Sequence, residues 1–292
     1  MNTVRSKDDV TIAFDRLGQG PPVIVVGGAF SYRRWKGFVQ LAELLAERFT
    51  VINYDRRGRG DSRDTHPYAV EREIEDLEAL VEEAGGSAFV WGMSSGGVLA
   101  LRAAARGLQI ERLALYQPPF MLDENGHVPP PDFGARLDEL VAADRRSEAV
   151  KYFMTEGMGV PAFFVNLMRL TRPVWSRLTA VSHTLPYDYA VMGDTVTGAP
   201  LTVEPWSSIT TPTLVMDGGK SPTSLHKAAD ALAATLPNAR RCTLEGQSHN
   251  VSMEVLAPVL EEFFTSEREP RPTPASAADG AVEHQPAATR GG

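Results

Sequence analysis

The residues Gly92-Met93-Ser94-Ser95-Gly96 form a G-x-S-x-G pattern. They follow a short apolar run, Ala88 to Trp91, and open a small-residue segment of helical character, Gly96 to Arg106. A serine on so sharp a strand-to-helix turn is held at the top of a sheet, with its hydroxyl free to attack. The next backbone N–H, that of Ser95, then points at the same spot from a helix N-terminus. There, orphan donors and the helix dipole favour a developing oxyanion. Glycine and serine are common, so the pattern carries weight only through its strand–motif–helix context. Ser95 is a rival nucleophile only if the register slips by one, and Gly92 would then fall out of place.

A serine hydroxyl needs a base. There are six histidines. His66 lies in a polar loop, His127 in a proline-rich loop, His183 in the middle of the chain, His226 on a helix face and His284 near the end. His249 differs, because it sits in Gly246-Gln247-Ser248-His249-Asn250, after a strand-like run and before a closing helix. A loop there can bring an imidazole over Ser94, where its neutral form takes the serine proton and returns it to a leaving group.

The surrounding pattern supplies the elements that must hold these groups. Val4 to Ser6, Thr11 to Leu17, Val23 to Val26, Thr50 to Tyr54, Ala88 to Trp91 and Ile110 to Tyr116 read as strands. Helical spacing separates them, around Leu41 to Leu45, over Val70 to Ala84 and over Gly96 to Arg106. The alternation resumes with Thr213 to Met216, a helix near Ser224 to Leu236, a strand Ala239 to Leu244 and a helix Val255 to Phe264. This order predicts an α/β fold, with a mostly parallel central sheet and helices on both faces. Residues 121–205 break it, being helical in character and rich in Phe, Met and Trp. They are expected to form a helical cap over the C-terminal edge of the sheet. The division is then 1–120 and 206–265 for the core, 121–205 for the cap and 266–292 for a tail. The Pro, Ala, Glu, Arg and Gly of that tail predict disorder.

Three further stretches resemble the α/β-hydrolase superfamily, in its serine-nucleophile, esterase-like branch, over about residues 11–265. Gly27-Gly28-Ala29 follows the third strand, where the family usually shows His-Gly-x. Tyr54-Asp55-Arg56-Arg57-Gly58-Arg59-Gly60-Asp61-Ser62 is similar to its D-x-R-G-x-G-x-S turn. Gly246-Gln247-Ser248-His249 resembles its late G-x-x-H. The resemblance makes the Ala29 amide a second oxyanion donor and gives Asp55 and Arg57 structural roles. Relatives that hydrolyse epoxides or haloalkanes carry Asp where Ser94 stands. The resemblance also implies a carboxylate to orient the histidine, and here the chain departs from the pattern. One usual acid position falls on Ser221, in Gly218-Gly219-Lys220-Ser221-Pro222, and the other on Gln117, in Tyr116-Gln117-Pro118-Pro119. An amide can orient an imidazole but cannot neutralise it. The nearest carboxylate, Asp217, is the expected acid. The cap aspartates Asp188 and Asp194 are alternatives, and a site without an acid is the third.

Composition bounds the remainder. The 292 residues are 43% hydrophobic and 23% charged, with a formal net charge of −8. That acidity speaks against nucleic acid and against attraction to a membrane surface. No apolar run is long enough to span a bilayer, and none follows Arg5, Lys7, Asp8 and Asp9 as a secretory signal would. The one cysteine, Cys242, reads as a small buried hydrophobe. A cytoplasmic location is expected. Neither metal nor organic cofactor is implied, since paired Cys/His spacing and a G-x-G-x-x-G after a strand are both missing. The expected activity is cleavage of a small, largely apolar ester or related acyl compound, with Met93, Gln117, Phe163, Phe164 and Met168 lining the pocket. A hydrolase-fold lyase, cyclase or ligand-binding protein with an incomplete triad is the alternative. The natural substrate, the bond cleaved and the oligomeric state stay open.

Overall fold

The computed structural model describes residues 1–122 and 126–266. Eight strands form one sheet: β1 (Asn2–Arg5), β2 (Thr11–Leu17), β3 (Pro22–Val26), β4 (Thr50–Tyr54), β5 (Ala88–Met93), β6 (Ile110–Tyr116), β7 (Thr213–Gly218) and β8 (Ala239–Leu244). Their spatial order is β1-β2-β4-β3-β5-β6-β7-β8. β1 and β2 are antiparallel to their neighbours, and every pairing from β4 to β8 is parallel. Apolar β-branched runs explain this arrangement. In β3, Val23 and Val25 join one core cluster while Ile24 and Val26 join the other, so both faces of the strand are buried.

Helices cover the two faces. α1 (Lys36–Leu45) and α10 (Met253–Thr265) bury one cluster, while α2 (Val70–Glu83), α3 (Ser95–Ala105) and α9 (Thr223–Thr235) bury the other. The chain leaves β3 for β4 on one side, and β5 then lies on the other side of β3. The loops after β3 and β5 therefore diverge at the C-terminal end of the sheet, and a crevice forms where such a reversal occurs.

The segment between β6 and β7 is helical, as its composition predicts. It contains α4 (Phe133–Ala142), α5 (Arg146–Tyr152), a π-turn at Phe153–Gly157, α6 (Ala162–Leu170), α7 (Arg172–Ala180) and α8 (Leu185–Met192). Its apolar interior, built on Phe133, Leu137, Phe153 and Leu185, packs against Ala29 and Phe30 of the loop after β3. Among the described residues no helix is long and apolar enough to cross a membrane. The tail expected beyond Ser266 lies outside the described residues. Ser266 itself accepts a 2.7 Å hydrogen bond from Arg112.

α10 closes the sheet through aromatic packing. The Phe264 ring stacks on Phe89 at 4.9 Å, with 3° between planes, and meets Phe49 edge-on at 6.0 Å. Phe264→Ala should cost about 3–5 kcal/mol in urea unfolding, the usual cost of an emptied aromatic site. A loss below about 1 kcal/mol would mean that α10 contributes little to the core.

Candidate active site

Ser94 stands between β5 and α3 with φ +54° and ψ −130°. A non-glycine residue with positive φ is strained, at a cost of about 1–3 kcal/mol, and persists only where its surroundings impose it. Here the imposition is explicit. The Ser94 N–H donates to the Tyr116 carbonyl of β6 at 3.0 Å, and the Ser94 carbonyl accepts from the Gly97 N–H at 2.8 Å. A Cβ on Gly96 would collide with the carbonyls of Val26 and Gly27, so only glycine lets α3 start this close to β3. The turn that results lifts the hydroxyl off the end of the sheet.

The two N–H groups expected to serve as oxyanion donors are set by the same packing. Ser95 is the first residue of α3, so its N–H has no partner within the helix. On the other side of the crevice, the Gly28 carbonyl accepts from Arg59 Nη1 at 2.7 Å and from Ser31 Oγ at 2.6 Å. In a trans peptide the N–H opposes the carbonyl, so these bonds turn the Ala29 N–H away from the arginine. Gly28 itself abuts the nucleophile: a Cβ placed there would lie 2.9 Å from Ser94 Cβ and 3.5 Å from Ser94 Oγ.

His249 follows β8 in a loop fixed at several points. The Ser248 carbonyl accepts from the Tyr116 hydroxyl, the Gln247 side chain accepts from the Ser252 N–H at 2.8 Å, and the Gln247 carbonyl accepts from the Lys220 N–H at 2.8 Å. His249 Nδ1 lies 2.7 Å from Gln117 Oε1. An amide oxygen can only accept, so Nδ1 carries the proton and Nε2 keeps its lone pair. The Gln117 amide nitrogen donates to Ser221 Oγ, which anchors the far end of the amide. Burial holds the imidazole below the ordinary histidine pKa.

A family model described as "Alpha/beta hydrolase family" matches residues 23–261. The chain is a member of the alpha/beta hydrolase family. An alpha/beta hydrolase from Sphaerobacter thermophilus DSM 20745 is 56% identical over 90% of this chain and 100% of its own, with a TM-score of 0.84. A thermophilic esterase from Thermogutta terrifontis is 22% identical, covering 90% of this chain and 97% of its own, at TM-score 0.67. An enol-lactonase from Burkholderia xenovorans LB400 is 19% identical, covering 91% of this chain and 100% of its own, at TM-score 0.68. The last two likenesses show the fold.

The structure does not bring this family member's expected acid to its histidine. Met216 faces the cluster under α1 and α10, so the alternation of the strand turns Asp217 to the opposite face, towards α9. There its carboxylate is taken by Arg241 and by His226 of α9. Burial alone would raise the Asp217 pKa, but hydrogen bonds from Arg241, His226 and Thr243 outweigh it and hold the pKa below the usual range. Asp194 pairs with Arg102 at 2.6 Å. Asp188 is also engaged elsewhere. Of the carboxylate candidates none faces His249, whose Nδ1 is held by the amide of Gln117.

Three of the expected pocket residues are also elsewhere. Met93 is buried within the sheet cluster, since β5 runs two residues further than its apolar run suggests. Phe163 and Phe164 lie on the outside of α6, exposed to solvent. Met168 turns inward and packs with Met154, Val165 and Phe30. Cys242 is half-buried at the edge of the core. Asp55 and Arg57 tie their turn together: Asp55 accepts from the Arg33 and Asp61 N–H groups, at 2.7 and 2.9 Å, and Arg57 clasps Asp76 and Asp8.

Sequence reasoning missed Arg56, Arg59 and Glu73, and offered Asp188 only as an alternative acid for the histidine. Asp188, fully buried on α8, accepts from Arg56 at 2.7 Å, from Arg59 at 2.6 Å and from Ser95 Oγ at 2.7 Å. Glu73 takes two nitrogens of Arg56, at 2.6 and 2.7 Å. The two arginines also hold the carbonyls of Gly27 and Gly28. A single carboxylate from the helical segment thus ties the loop after β3 to the start of α3. The available signal was three arginines in a four-residue stretch of the turn, 56–59, more cations than a turn needs.

Removing one partner of such a buried network strands the others. Asp188→Asn should lower unfolding stability by about 3–5 kcal/mol, whereas Asp194→Asn, at an exposed pair, should stay within about 0.5 kcal/mol. Burial opposes ionisation of Asp188 and Glu73, yet Arg59 and Arg56 outweigh it, so both carboxyls have depressed pKa values. Their contribution is complete above the unfolded pKa of about 4 and lost as pH falls through the lower folded value. Stability should fall less steeply in acid for Asp188→Asn than for the wild type. Equal acid slopes would contradict the pairing.

Proposed function

We propose that this chain is a serine hydrolase that cleaves a small, largely apolar ester or related acyl substrate through an acyl-Ser94 intermediate. The observation that carries this reading is the strained backbone of Ser94, at φ +54° on the β5–α3 turn. Strain of this kind clusters at active sites, and it supports a reading in which the hydroxyl is presented between two oxyanion donors. His249 Nε2 takes the Ser94 proton as Oγ attacks the acyl carbon. The carbonyl π pair moves to oxygen, where the Ala29 and Ser95 N–H groups receive it. Collapse of the tetrahedral intermediate expels the leaving alcohol, protonated by His249. A water that His249 deprotonates then attacks the acyl carbon, and Ser94 recovers its proton as the acid departs. An apolar acyl group suits the segment over the site, where Phe30, Met154 and Met168 share a cluster.

A second reading, a lyase, cyclase or ligand-binding protein on this fold, has one observation in its favour. The group that orients His249 is neutral, so the imidazolium formed during acyl transfer gains no opposite charge. Covalent labelling separates the two. A fluorophosphonate should add one adduct to the wild type and none to Ser94→Ala, while Ser95→Ala keeps it. An unlabelled wild type would favour the second reading.

The pH profile tests the base. Neutral His249 is the active form, and burial lowers its pKa, so kcat/KM should rise through a midpoint below 6.5. Gln117→Glu places a carboxylate against Nδ1, which moves that midpoint upward and should raise kcat by about tenfold or more, against the roughly 10⁴-fold cost of the reverse change in a serine protease. Asp217→Asn should leave kcat within about twofold. A large loss there, with Gln117→Glu silent, would transfer the orienting role to Asp217.

A further inference from the structure

α6 is apolar over most of its circumference, with Asn166 and Arg169 its only polar residues. Its inner side, Val165 and Met168, packs on Val150, Met154 and Phe30. Its outer side carries Phe163, Phe164, Leu167 and Leu170 at 72, 57, 53 and 77% exposure, with Met158 just before it and Val174 of α7 beside it, both exposed. A helix with an apolar surface this wide ordinarily buries more of it than one inner side. Six large apolar side chains exposed together on one face are the kind of feature that marks an interaction surface.

The charge around the patch narrows what covers it. From Gly157 to Tyr187 the chain has no Asp or Glu, but it has Arg169, Arg172 and Arg177, all exposed, in a protein whose formal net charge is −8. The acidity that argued against membranes is therefore an average, and this hairpin is its exception. A second copy packing through the same patch would bring three cations from each side into one interface, with no carboxylate from 157–187 of either copy to pair them. An anionic lipid surface satisfies both features. Aromatic and leucine side chains enter the boundary between headgroups and acyl chains while the guanidiniums meet the phosphates.

We infer that the α6–α7 hairpin seats the protein on an anionic lipid bilayer, as a peripheral contact without a membrane span. The inner side of the same hairpin packs on Phe30, one residue from Ala29, so the docked face and the oxyanion loop belong to one packed unit.

Flotation of the full chain with lipid vesicles tests this. The wild type should float with vesicles of phosphatidylglycerol and phosphatidylcholine, much less with phosphatidylcholine alone, and less as salt rises. Phe163→Ser with Leu170→Ser should weaken the binding by about tenfold or more at an unchanged Tm, since both side chains are exposed. Arg172→Gln with Arg177→Gln should weaken it on the anionic vesicles only. Wild type that fails to float, or double variants that float equally well, would overturn the proposal. So would a concentration-dependent dimer that Phe163→Ser with Leu170→Ser abolishes, which would assign the patch to a second copy.

Discussion

The site depends on one backbone residue held where it would not rest by itself. Ser94 at φ +54° is sustained by a hydrogen bond to β6 on one side and by a glycine-only approach of α3 to β3 on the other. Both constraints are consequences of the parallel sheet. β5 lies between β3 and β6, and the loops after β3 and β5 part where the strand order reverses. Without those fixed neighbours, the roughly 1–3 kcal/mol of strain would relax by flattening the turn. The hydroxyl would then leave the crevice, and the Ser95 amide would cease to face it.

Charge is distributed around this turn in two unlike ways. Beneath it, Asp188 and Glu73 balance Arg56 and Arg59 in a buried network that is neutral in sum and fully hydrogen-bonded. Its arginines hold the carbonyls of Gly27 and Gly28, and its aspartate holds Ser95, so the shape of the loop after β3 and the seating of α8 on the core rest on the same bonds. Above it, His249 meets a neutral amide. With its oxygen towards Nδ1 the amide selects the same tautomer as a carboxylate would, but it leaves the imidazole easy to deprotonate and harder to protonate. The arrangement therefore orients the base fully and stabilises its protonated form less.

Much of this was legible in the sequence. Thr11–Leu17, Thr50–Tyr54, Ile110–Tyr116 and Ala239–Leu244 appear as strands with the bounds their composition predicts, because short β-branched and aromatic runs closed by polar or glycine residues have little other use. The G-x-S-x-G turn and the late histidine loop were visible for the same reason: their chemistry is local. The partner of His249 was not legible. Asp217 is close to the right place along the chain, and only the facing of β7 sends it to α9. Arg59 and Asp188 are 129 residues apart, a pairing that no local period announces. Phe163 and Phe164 belong to a helix whose apolar surface runs most of the way round, so spacing could not separate its inner from its outer side.

The central claim is that Gln117, a neutral group, holds His249 as the Nδ1–H tautomer with Nε2 ready to accept the serine proton. Nitrogen-15 NMR of the histidine rings across a pH titration reads this directly, with Gln117→Glu assigning the His249 signal. The expected result is a protonated Nδ1 and an unprotonated Nε2 at pH 7, with a midpoint below 6.5. A His249 protonated on Nε2 at pH 7, or one titrating well above 6.5, would contradict it and would require a carboxylate partner.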